Sequence, residues 1–61
     1  MKKYIVRDGY IGVFQYMDFG EFPVYRFPGG DSIADEYELR SGFDTREDAE
    51  KYALENYGYA D

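Results

Sequence analysis

The sequence predicts an α+β domain: an antiparallel sheet of three to four strands with one C-terminal helix, about residues 46–57, packed on one face. Three observations carry this. Asp8-Gly9 separates two runs rich in β-branched and aromatic residues, the strongest short-range signal for a two-residue hairpin. Ala49, Tyr52, Ala53 and Tyr57 recur at helical spacing between a capping Thr45 and a stopping Gly58. Strand-like segments come first and the helix last, an order that places the helix against a finished sheet.

Each element has its own justification. The first strand is Lys3-Tyr-Ile-Val-Arg7 and the second Tyr10-Ile-Gly-Val-Phe-Gln-Tyr16. Gly12 inside the second marks a bulge or a close packing neighbour. In strict alternation Tyr10, Phe14 and Tyr16 share one side of that strand, and Ile11, Val13 and Met17 share the other. Met17 to Glu21 is a break, and Phe22-Pro-Val-Tyr-Arg-Phe27 is the third strand. Pro23 lacks an N–H, which argues for an edge or a strand start.

Pro28-Gly29-Gly30-Asp31 reads as a turn, with Pro presetting φ at its second position and Gly supplying a positive φ at its third. Ser32 to Glu36 gives no clear pattern. Tyr37-Glu-Leu-Arg-Ser41 alternates with period two and is expected as a fourth strand, Tyr37 and Leu39 inward and Glu38 and Arg40 outward. The helix follows, capped by Thr45 or Asp44, with Glu47 and Asp48 complementing its N-terminal dipole. Gly58 suits a left-handed C-cap, after which Tyr59 can fold back. Small residues at 49 and 53 allow close approach to the sheet. Leu54 falls between the apolar stripe and the charged face.

Composition narrows the function. Sixty-one residues make one domain, 1–61. A core of this size supplies only about 3–5 kcal/mol of stability without a staple. No Cys and no His are present, so disulfides and the usual zinc ligand sets are excluded. The aliphatic core is small: eight Val, Ile and Leu against thirteen Tyr and Phe. Each aromatic buries ~150–250 Å², so thirteen exceed what the interior can hold and some rings must meet solvent or a partner. That aromatic content also argues for a folded chain despite the net charge of −6. Lys2-Lys3 begins like a signal peptide, but Arg7 and Asp8 interrupt the apolar run, and the stretch from Gly9 to Met17 is far short of the ~20 residues of a membrane span. A cytoplasmic protein without membrane attachment is expected.

The charge is divided along the chain. Residues 1–30 hold Asp8, Asp18 and Glu21 against Lys2, Lys3, Arg7 and Arg26, a net of +1. Residues 31–61 hold ten acids against Arg40, Arg46 and Lys51, a net of −7. Solubility, helix capping and the four-residue spacings Glu47–Lys51 and Lys51–Glu55 account for part of this. Asp31, Asp35, Glu36 and Glu38 have no evident structural duty in the sequence, and they predict an anionic lobe that steers a partner.

Several chemical motifs fail on context. Asp18-Phe19-Gly20 matches the kinase magnesium-binding tripeptide without the rest of that machinery. Gly29-Gly30-Asp31 opens like the diguanylate cyclase signature but continues Ser-Ile instead of Glu-Phe. Asp31, Asp35 and Glu36 do not have the alternating spacing of a calcium loop. Ser32 and Ser41 have no His to activate them. Catalysis, a metal and a cofactor are therefore not expected. Exposed rings on a sheet could stack single-stranded bases, but only Lys2, Lys3, Arg7 and Arg26 could meet the phosphates, so nucleic acid is disfavoured.

Two readings remain. The first is a small acidic protein-binding module that occupies a basic, nucleic-acid-binding surface of a partner. Its contacts would be Asp31, Asp35, Glu36, Glu38, Asp44, Glu47, Asp48 and Glu50, with Tyr10, Tyr16, Phe19 and Tyr37 as the dry anchors. In size, acidity and aromatic content the chain resembles the small proteins of phages and mobile elements directed at host defence. The second is an oligomerising structural or adaptor domain that pairs through a Tyr-rich sheet face or edge, with the acids serving solubility alone.

Overall fold

A computed structural model describes residues 2–19 and 22–58, and the side chains of 16–19 are not described. Four strands form one antiparallel sheet in the order β1-β2-β3-β4: β1 Tyr4–Arg7, β2 Tyr10–Phe19, β3 Phe22–Phe27 and β4 Gly30–Ile33. Two helices follow, α1 Glu36–Arg40 and α2 Arg46–Tyr57. The α+β class, the antiparallel sheet and the C-terminal helix stand as the sequence predicts.

The first hairpin is the one that Asp8-Gly9 specifies. Arg7 pairs with Tyr10 across a two-residue turn whose φ values are 54° and 87°, the two left-handed positions of a type I′ turn. The third and fourth strands join through Pro28-Gly29, with Phe27 opposite Gly30. Here the positive φ, 134°, falls on Gly30 and not on Gly29. β4 thus begins inside the segment read from sequence as a turn.

β2 runs to Phe19, past the expected break at Met17. Its pairing with β3 shifts register between Phe14 and Tyr16 and again between Met17 and Phe19. The first shift sets Tyr16 opposite Val24 while Phe14 stays opposite Tyr25, so strict alternation along β2 ends at Phe14. Pro23 sits one residue inside β3, in an inner strand rather than at an edge, beside the second irregularity.

The largest correction concerns residues 36–40. They form a short helix, not a fourth strand. Asp35 accepts from the Glu38 backbone N–H at 2.8 Å, and the Glu38 carboxylate accepts from the Asp35 N–H at 3.1 Å, a reciprocal capping box. Two of these residues are consequently misplaced by the strand reading. Tyr37 points to solvent, 75% exposed, whereas Glu38 turns inward.

Paired residues of an antiparallel ladder share a face, which places the helices. Ile5, Gly12, Phe14, Tyr25 and Phe27 lie on one face. Ile5 and Tyr25 are buried there with Ala34, and Leu39 of α1 packs on them beside Phe14 and Phe27. Tyr4, Val6, Ile11, Val13 and Val24 lie on the other face. Phe43 bridges Tyr4 on the outer edge of β1, and its ring meets Tyr52 of α2 with centroids 5.3 Å apart. Thus α2 covers the second face while α1 covers the first, and the chain wraps the β1 edge between them. Buried Ala49 and Ala53 bring α2 close to the sheet. Thr45 caps α2 by accepting from the Asp48 N–H, and Gly58 ends it with φ 84°, as the sequence predicts. The possible return of Tyr59 lies outside the described residues.

Gly12 is the close-packed position of β2. A Cβ there would lie 2.6 Å from a Cε of the Phe27 ring, and the Arg7 guanidinium covers that ring, 4.7 Å from its centroid. Gly12→Ala must push Phe27 out from under Arg7. We expect a loss of about 1–3 kcal/mol, the usual cost of overpacking, read as a lower urea midpoint at unchanged slope. Gly12→Ala combined with Phe27→Leu should recover part of it.

Candidate partner-binding surface

The sequence sets an aromatic half against an anionic half, and the fold joins them. Three of the four bases in the first thirty residues pair with acids from the second half. Lys2 meets Asp44 at 3.8 Å, Arg26 meets Asp31 at 3.1 Å, and Arg7 meets Glu38 at 2.7 Å. Two further pairs are four-residue helical neighbours, Arg40 with Glu36 at 2.9 Å and Arg46 with Glu50 at 3.1 Å. Exposed pairs of this kind are worth at most about 1 kcal/mol each. They account for where the acids are rather than for stability.

Arg7–Glu38 is of a different kind. The guanidinium donates from Nε and one Nη to the two carboxylate oxygens, at 2.7 and 2.8 Å, and also to Ser32 Oγ at 2.6 Å and the Ile33 carbonyl at 3.1 Å. One side chain therefore ties β1 to β4 and α1 across the first sheet face. The Glu38 side chain keeps only 16% exposure. Its carboxyl is held below the ordinary value of 4.5, chiefly by the Arg7 hydrogen bonds and against the opposing effect of burial. Glu38 raises the Arg7 guanidinium correspondingly.

The sites expected from sequence therefore separate. Asp31, Asp35, Glu36 and Glu38 do have structural duties: an ion pair, a helix cap, a helical pair and an internal clasp. The expectation that this segment lacks a structural need for four carboxylates is corrected, most firmly for Glu38. Asp44 and Glu50 carry partners but remain exposed. Tyr10 is 43% exposed at the first hairpin. Tyr16 and Phe19 pair in β2, and their side chains lie outside the described residues. Among the described residues no group of three or more acids converges as a metal site would require.

Glu47, Asp48 and Glu55 remain on α2 with no ion pair among the described residues, and all three are exposed. Lys51 lies on the same helix, four residues from both Glu47 and Glu55. The same helix presents Tyr52 at 40%, Leu54 at 59% and Tyr57 at 45% exposure. A shallow groove of about 370 Å³ runs between the Phe43 segment and the helix, lined by Phe43, Asp48, Lys51, Tyr52 and Glu55. Phe43, Tyr52 and Glu55 were absent from the expected contacts. The spacing 48, 52 and 55 puts an acid on each side of Tyr52 along one helical face, and that signal is readable in sequence. The position of Phe43 is not, because it depends on the bridge to Tyr4.

No protein-family model, curated protein or solved structure matches this chain. No helix among the described residues is long and apolar enough to cross a membrane.

Proposed function

We propose that this is a small protein-binding domain whose α2 face occupies a basic, nucleic-acid-binding surface on a partner protein and thereby blocks it. The observation that carries the reading is the distribution of unspent charge. Most described acids are engaged by a base or a cap, whereas Glu47, Asp48 and Glu55 have no ion pair among the described residues and lie on one helix beside half-exposed Tyr52 and Leu54. Carboxylates steer the encounter with a basic surface, and rings that lose water at the interface set its lifetime. The size, acidity and aromatic content suit the anti-defence proteins of phages and mobile elements, which act by such occupation.

The test neutralises the three acids together as Glu47→Gln, Asp48→Asn and Glu55→Gln. Capture of a nucleic-acid-binding protein from host lysate should fall at least tenfold, with the fold retained and stability lower by no more than about 1–2 kcal/mol, the helix-dipole share of Glu47 and Asp48. Capture by the unaltered protein should fall steeply as salt rises from ~0.05 to ~0.5 M. Capture that is indifferent to both salt and neutralisation would refute the reading.

A second reading rests on the outer edge of β4. That strand ends the sheet, and its last residue, Ile33, is 45% exposed, so another copy could pair there as an oligomerising domain. Sedimentation over a concentration series separates the two readings: a monomer at all concentrations excludes the second.

A further inference from the structure

We propose that the groove between Phe43 and α2 is a receptor for a single arginine side chain of the partner, with Lys51 as its internal competitor. The inference rests on the protein-binding reading and names the group recognised.

The groove offers two features together. Its floor is aromatic: Phe43 and Tyr52 meet at 5.3 Å with their planes inclined at 44°, leaving Tyr52 40% exposed. Its rim is anionic, with Asp48 one helical turn before Tyr52 and Glu55 almost one turn after it. A flat guanidinium can stack on a ring and at the same time donate two parallel hydrogen bonds to a carboxylate. A lysine ammonium is compact and strongly hydrated, so it gains less from that combination. The molecule already contains such an arrangement, because Arg7 covers the Phe27 ring while forking onto Glu38. The α2 groove sets the same two elements together, an aromatic ring and carboxylates.

Lys51 lines the same groove, four residues from both Glu47 and Glu55. It is without an ion pair among the described residues, and its charge opposes an incoming cation. An arginine must displace or tolerate it, so removing that charge should tighten binding.

The experiment is an amide-resolved NMR titration of the full chain with two short capped peptides, Gly-Arg-Arg-Gly and Gly-Lys-Lys-Gly. The arginine peptide should shift signals confined to Phe43 and residues 48–55, and bind at least threefold more tightly than the lysine peptide. Tyr52→Leu should remove that preference while leaving the acids in place, and Lys51→Met should tighten arginine binding about threefold. Equal, diffuse responses to both peptides over all the acidic residues would overturn the arginine receptor and leave the protein-binding reading standing. The absence of any response at α2 would overturn both. Loss of signal dispersion in the Tyr52 variant would mark unfolding, in which case the arginine-to-lysine ratio and the Lys51 variant decide.

Discussion

Replacing Arg7 by Met should cost about 2–4 kcal/mol of folding free energy and leave a measurable fraction of the protein unfolded at 25 °C. Removing one partner of a buried ion pair costs about 3–5 kcal/mol. The figure here is lower because 33% of the Arg7 side chain remains in contact with solvent. Against the ~3–5 kcal/mol available to a domain of this size, such a loss is decisive. Glu38→Gln should cost less, because Arg7 keeps its bonds to Ser32 and Ile33. A double-mutant cycle isolates the pair, and urea titration followed by circular dichroism measures it. The same clasp sets an acid limit. The Glu38 pKa is lowered in the fold, so its contribution is complete above the unfolded value near 4.5 and disappears as pH falls through the folded value. Glu38→Gln should flatten stability against pH in that interval. A difference between the two proteins that persisted below it would show that some other interaction is being lost.

Tyr25→Leu should be nearly as damaging, at about 2–4 kcal/mol. Tyr25 is wholly buried and is the largest side chain so enclosed among the described residues. Its ring meets Phe14 edge-on with centroids 5.6 Å apart, and its hydroxyl donates to the Lys2 carbonyl, tying β3 to the start of β1. Tyr25→Phe keeps the ring and removes that bond, so it should cost only about 1 kcal/mol. The gap between the two variants measures packing apart from hydrogen bonding. Burial also raises the Tyr25 pKa. Stability from this group is therefore complete below the unfolded value near 10 and is lost as pH rises through the folded one, making Tyr25→Phe less sensitive to alkali.

How far the sequence reaches can be seen at particular residues. The Asp8-Gly9 turn, the span of α2, its Thr45 cap and its Gly58 stop are local, and each follows from residues within a few positions. Residues 37–41 alternate with period two over only five positions, too short a window to separate strand from helix. Asp35 and Glu38, three apart, carry the capping-box signal that outweighs the alternation. The fate of Glu38 and Asp44 is not local. Nothing near Glu38 in sequence announces Arg7, thirty-one positions away. Asp44 likewise finds Lys2 only when Phe43 bridges β1, whereas Asp31 meets Arg26 across the short β3–β4 hairpin. The negative half was thus legible as a composition, and its division into engaged and free carboxylates became visible only with the fold.

That division is tested most directly by two charge-matched triple variants assayed side by side for partner capture. Glu47→Gln, Asp48→Asn and Glu55→Gln remove free acids of α2. Asp31→Asn, Glu36→Gln and Glu50→Gln remove exposed acids that already have bases. Each takes the net charge from −6 to −3 by losing three carboxylates. The first should lose the captured protein and the second should retain it. Equal loss in both would show that net charge alone matters and would contradict a binding face on α2.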